Sequence, residues 1–147
     1  MCFFGWFCLC TVWRAQHGAR PTEIWLLGNE SETAIRKVIA LRQQLQPYIA
    51  AQMARVSQTG QPVNRPLFWD FPDDGATWEV AVVDAYMFGP DFLVAPVTDM
   101  GARTKTTYLP AGAAYTHFFT NTSYEGGRNV TVAAPLDEFP LFRVRRH

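Results

Sequence analysis

Cysteine is confined to the first ten residues, at Cys2, Cys8 and Cys10, and none follows. An odd trio in one apolar run, with no second cluster to bridge to, excludes a disulfide framework. Histidine is also scarce: His17, His117 and His147 are far apart and repeat no zinc-ligand spacing, so no metal centre and no cofactor are expected. The cysteines read as thiols of an apolar strand. Charge of one sign is missing too, since 13 basic and 13 acidic side chains cancel to a formal net charge of zero. That balance gives no pull toward nucleic acid or an anionic membrane surface. No apolar run reaches the roughly 20 residues needed to cross a bilayer. The run over 2–13 lacks any basic residue before Arg14, so it reads as an internal strand rather than a secretory signal. Internal repeats and low-complexity stretches are absent. What remains is rich in rings: aromatics make up 14% of the chain and recur along most of it, which implies a packed core or a large buried interface.

The N-terminal segment 3–14 has the continuous apolar character of a strand covered on both faces. Gly18, Arg20 and Pro21 then mark a loop. From Ser31 the period becomes helical, with Ile35, Val38, Ile39, Arg42, Leu45, Ile49, Met53 and Val56 forming one stripe. Asn29 or Ser31 is suited to cap this helix, Pro47 to kink it, and Gly60 to end it in a left-handed turn. No second long helix follows. Segments 92–97, 104–109, 115–119, 129–133 and 141–144 read as strands, and Glu125-Gly126-Gly127 as a hairpin turn between the third and fourth. Short strands at this spacing suggest an antiparallel sandwich. The first strand has no parallel partner in the chain, which predicts that it and the helix stripe expose surface normally covered by structure encoded elsewhere.

The order of several segments resembles glycoside hydrolase family 31, the retaining α-glucosidases, α-xylosidases and relatives. FCLCTVWRAQHGARPTEIW resembles the eighth barrel strand and its loop, and RKVIALRQQLQPYIAAQMARVSQTGQPVNRPLFWDFPDD the last barrel helix and its exit. DAYMFGPDFLVAPVTDMGARTKTTYLPAG resembles the opening strands of the proximal C-terminal domain, and YEGGRNVTVAAPLDEFPLF its closing strands. The resemblance implies an α+β chain: the last βα unit of a (β/α)8 barrel over 1–61, then an antiparallel β-sandwich domain over 62–147. It implies hydrolysis of O-glycosidic bonds in α-linked oligosaccharides or glycosides by the complete enzyme, with the remainder of the barrel as partner. Retaining glycosidases need two carboxyl groups roughly 5 Å apart. In this family both are aspartates on earlier barrel strands without counterpart here, so the resemblance implies no catalytic residue in this chain. It does match His17 to the histidine that hydrogen-bonds the sugar at the cleaved bond, and Arg14 to a basic residue shaping that rim. Relatives usually have one residue between this pair, where this chain has Ala15 and Gln16.

The acids here read as structural. Asp73 and Asp74, between Pro72 and Gly75, have the composition of a turn and a cap, and the arginine and acids of RPLFWDFPDD suit pairing and capping. Asp70, Asp84, Asp91 and Asp137 fall among the strands. Arg143, Arg145, Arg146 and His147 read as a solvated terminus. Asn29, Asn121 and Asn129 each open an Asn-X-Ser/Thr triplet, the N-glycosylation acceptor pattern, which tilts the location toward secretory, lysosomal or extracellular in a eukaryote. A second reading is a stand-alone, non-catalytic β-sandwich module for interaction or carbohydrate binding, with Trp69, Trp78 or Tyr124 stacking on sugar rings.

Overall fold

A computed structural model describes residues 26, 28–79, 82 and 84–146. The expected strand 3–14 lies outside the described residues.

The helical stripe forms two helices, α1 (Asn29–Gln44) and α2 (Gln46–Thr59), separated at Leu45. Pro47, in the first turn of α2, explains the break, because its ring displaces the carbonyl a turn earlier and it has no N–H to donate. The two helices stay nearly continuous, since Leu45 N–H still bonds Leu41 O at 3.0 Å and Ile49 N–H bonds Leu45 O at 2.9 Å. Gly60 ends α2 in the expected left-handed conformation, its N–H on Val56 O at 2.8 Å. The capping expectation fails. Gly28 holds the N-cap position with no side-chain bond, Asn29 is already helical, and its carbonyl accepts the Thr33 hydroxyl at 2.8 Å.

After Gly60 come β1 (Asn64–Pro66), the single turn α3 (Leu67–Asp70), a 3₁₀ turn (Gly75–Trp78), β2 (Tyr86–Phe88) and β3 (Phe92–Val94). Then follow β4 (Thr104–Leu109), β5 (Ala113–His117), β6 (Ser123–Glu125), β7 (Arg128–Ala133) and β8 (Leu141–Arg146). Every described pairing is antiparallel, in a six-stranded sheet of order β1-β2-β3-β8-β5-β6 and a two-stranded sheet of β4 and β7. The fold is α+β with mostly antiparallel sheet.

Strand periodicity assigns the large sheet's two faces. Arg65, Met87, Leu93, Phe142 and His117 stand opposite one another in register across five strands. Met87, Leu93 and Phe142 meet Leu109, Val130 and Val132 of the small sheet, with Tyr115 and Phe71, in one buried cluster. The alternate residues Phe88, Phe92, Val94 and Leu141 face the helices and pack with Leu41, Leu45, Tyr48, Ile49 and Val56. Apolar cover on both faces explains why YMF and FLV show no polar alternation. The expected exposure of the helix stripe holds in part: Ile35 and Val38 are buried, Leu45, Ile49 and Val56 are half-buried against the sheet, and Met53 is 47% exposed.

The Glu125-Gly126-Gly127 turn is no hairpin, because β6 pairs with β5 and β7 with β4. The chain crosses from one sheet to the other there, so closely that a Cβ on Gly126 would lie 2.0 Å from Pro110 O. The β2–β3 turn is equally tight. Gly89 has φ 61°, and a Cβ there would lie 2.0 Å from the Tyr48 hydroxyl, which donates to Phe88 O at 3.1 Å and accepts the Asp91 N–H at 3.4 Å.

Candidate functional site

Arg14 and His17 lie outside the described residues. The three acceptor asparagines are all exposed: Asn29 in the first turn of α1, Asn121 at φ 55° between β5 and β6, and Asn129 on β7 opposite Tyr108.

The acids are held by neighbours. Asp74 caps the 3₁₀ turn through Ala76 N–H at 3.2 Å and also accepts Tyr108 Oη–H at 2.9 Å and Ala111 N–H at 2.8 Å. Burial and this carboxylate push the Tyr108 phenol up to about 12. Asp84 takes Lys105 at 3.3 Å, and Asp137 pairs with Lys37 of α1, which holds its carboxyl below the usual range. Asp91 turns its backbone inward, its carbonyl accepting the Val144 N–H at 2.8 Å.

Asp70 is the centre of the most elaborate cluster. The Arg65 guanidinium, 7% exposed, grips it with Nε on Oδ2 at 2.6 Å and Nη2 on Oδ1 at 3.1 Å, and donates from Nη1 to Pro62 O at 3.2 Å. Arg146 adds Nη2 on Asp70 Oδ1 at 2.6 Å and lies over the Phe71 ring, 5.2 Å from its centroid. The expected pairing within RPLFWDFPDD is present. Arg143, Arg145 and Arg146 are exposed as expected, but Arg146 is also tied into this cluster by a strand two residues longer than predicted. Its signal was the period of β8, which puts Phe142, Val144 and Arg146 on one face. Arg55, Gln61, Arg65, Trp69, Asp70 and Arg146 border a cleft of about 230 Å³. A second, more apolar cavity of about 190 Å³ lies among Val38, Val94, Met100, Arg103, Leu136 and Phe139.

Of the three candidate stacking rings, Trp69 is 53% and Trp78 61% exposed, while Tyr124 packs against Phe142 with centroids 6.0 Å apart. Trp78 stacks on Phe68 at 4.6 Å and donates Nε1–H to Pro72 O at 3.2 Å, which fixes its ring. Among the described residues no three His, Cys, Asp or Glu side chains are grouped to hold a metal ion, and no helix is long and apolar enough to cross a membrane.

Two helices laid on antiparallel strands in two sheets, with the Asp70, Asp74, Asp84 and Asp137 carboxylates in structural contacts, define an α+β protein. The chain belongs to glycoside hydrolase family 31: the model of the glycosyl hydrolase family 31 C-terminal domain matches residues 60–146. It is 36% identical over 140 residues to an α-xylosidase of Saccharolobus solfataricus, a span of 95% of this chain and 19% of that protein. A family 31 α-xylosidase from a soil metagenome, solved with xylose, superposes with TM-score 0.83 at 34% identity over 95% of this chain and 23% of its own. A cycloalternan-degrading enzyme from Trueperella pyogenes, solved with a covalent intermediate, superposes with TM-score 0.87 at 31% identity, over 99% of this chain and 21% of its own. The chain thus spans about a fifth of the length of these relatives.

Proposed function

We propose that this chain supplies the C-terminal part of a retaining α-glycosidase of the α-glucosidase or α-xylosidase type, acting on α-linked glycosides or oligosaccharides. In this reading, residues 1–61 are the last strand, loop and helix of a (β/α)8 barrel and residues 62–147 its proximal β-sandwich domain. The observation that carries it is the reach of the likeness, which covers nearly the whole chain and not the β domain alone, yet only a fifth of each relative.

The chemistry follows from a division of labour. A nucleophile and an acid/base on the remainder of the barrel form and hydrolyse a glycosyl-enzyme intermediate. This chain contributes His17, just past a barrel strand where active residues of such barrels gather, and its imidazole both donates to and accepts from sugar hydroxyls. Arg14 shapes the same rim. The β domain buttresses the helices that follow this loop, through the packing of Leu41, Tyr48 and Ile49 on the large sheet. Asn29, Asn121 and Asn129 serve as glycan acceptors where the parent enters a secretory route.

The chain alone is inactive, because proton transfer and charge stabilisation need groups it lacks, while Asp70, Asp74, Asp84 and Asp137 are engaged in structural bonds. Assay of the 147-residue chain on an aryl α-glucoside and an aryl α-xyloside tests this. Turnover lost on substituting one of its own acids overturns the reading, and an upstream reading frame encoding barrel strands with two aspartates supports it.

A further inference from the structure

We propose that the cleft between α2 and the end of β8 binds a small oxyanion, the carboxylate or sulfate of a saccharide whose ring rests on Trp69. The inference is independent of the hydrolase reading.

The charge balance comes first. Arg55, Arg65 and Arg146 bring three positive charges to a cleft with one carboxylate, Asp70, leaving a surplus of two. Arg55 bonds no acid among the described residues. Donor count points the same way. A guanidinium carries five N–H groups. Arg65 uses three, two on Asp70 and one on Pro62 O, and Arg146 uses one on Asp70. The two Asp70 oxygens already accept three donors, so the cleft offers spare donors and little acceptor capacity. A planar or tetrahedral oxyanion is the complementary ligand, and paired N–H groups are its preferred partners.

Shape decides what carries the anion. The cleft encloses about 230 Å³, several times the roughly 30 Å³ share of one water, so a bare ion leaves most of it empty. Trp69 gives an exposed apolar wall beside the guanidiniums, and the Gln61 amide both donates and accepts. Arg65 is already oriented by Asp70 and by its 93% burial, the complement of its 7% exposure, so one donor set is preorganised. The exposure of Arg55 and Arg146 keeps binding weak and sensitive to salt.

The test titrates the 147-residue chain with glucuronate, glucose and sodium sulfate by calorimetry and by tryptophan fluorescence, the part of the signal lost in Trp69→Phe being that of the cleft. Glucuronate is expected to saturate with Kd on the order of 1 mM and to weaken with ionic strength, while glucose does not bind. Arg55→Gln should weaken glucuronate about fivefold with an unchanged urea midpoint, since Arg55 is exposed on α2. Arg146→Gln should do likewise, but it also strips a partner from Asp70, so Arg55→Gln decides. Sulfate competing as tightly as glucuronate shows that the ring adds nothing and overturns the saccharide assignment. Equal affinity for glucose and glucuronate, an Arg55→Gln variant that binds normally, or no saturation by about 50 mM overturns the proposal.

Discussion

Acidification should destabilise this domain through His117. The side chain sits at the end of the inner row of the large sheet, 3% exposed, with its ring edge-on to Phe142 at 5.3 Å and near Phe119 at 6.0 Å. Nδ1 accepts the Thr120 backbone N–H at 3.3 Å and meets the Thr120 hydroxyl at 3.0 Å, which places the ring proton on Nε2. Nε2 is buried with no partner among the described residues. Protonation puts a second hydrogen where Thr120 N–H points and a charge where water cannot follow. Burial accordingly lowers the imidazole pKa from its ordinary 6.5, with Glu138, the acid facing it, pulling weakly the other way. The unfolded chain therefore takes up this proton first as pH falls. The stability held by neutral His117 is complete above about 6.5 and is lost as pH drops toward the folded-state value. Inside that window one proton removes about 1.4 kcal/mol per pH unit, a large share of a typical 5–15 kcal/mol. Urea unfolding between about pH 8 and pH 5 reads the slope directly. His117→Asn supplies an acceptor for Thr120 without a titrating ring, so it should lose about 1–3 kcal/mol at high pH and then show a flatter profile. Parallel pH profiles for the two proteins refute the reasoning.

Asp70→Asn leaves the buried Arg65 without its counter-charge and should destabilise by about 3–5 kcal/mol, whereas Asp73→Asn, in the exposed turn nearby, should change stability by less than about 0.5 kcal/mol. Similar urea midpoints for the two variants contradict this. Gly89→Ala drives a Cβ into the Tyr48 hydroxyl at positive φ and should cost about 2 kcal/mol or more; in a Tyr48→Ala background the cost should shrink, which a double-mutant cycle measures. Tyr115→Phe strands the Pro110 carbonyl, which its hydroxyl reaches at 2.9 Å in the core, and should lower stability by about 1–3 kcal/mol in thermal unfolding.

Long, periodic elements were legible in the residues, and short ones were not. The stripe from Ile35 to Val56 predicted one helix kinked by Pro47, which the structure divides at Leu45 into two, because side-chain spacing and a proline act locally. Segments 104–109 and 129–133 showed their strand character through their threonine, tyrosine and valine content. By contrast Asn64–Pro66, Tyr86–Phe88 and Ser123–Glu125 are three residues each, too short for a period, and one ends in a proline tolerated only because β1 is an edge. Gly126-Gly127 misled for a different reason: the same dipeptide serves a hairpin and a crossover, and only the register of distant strands separates them. The helix cap fell to Gly28 because Asn29 and Ser31 lie inside the first turn. Arg65 and Asp70 could be paired on sequence proximity, but Arg146 reaches Asp70 across 76 positions, a contact made by the sheet as a whole.

The place of β8 has a consequence for how the chain is made. The strand latest in order sits at the centre of the large sheet, between β3 and β5, which share no ladder of their own. Until Leu141 to Arg146 has left the ribosome, the nascent polypeptide holds two ribbons, β1-β2-β3 and β5-β6, each presenting a raw edge. Closure of the large sheet must then wait until β8 has emerged. A premature stop a few codons before Leu141 would therefore remove the seam that joins the two halves, while leaving most of the apolar residues in place to aggregate.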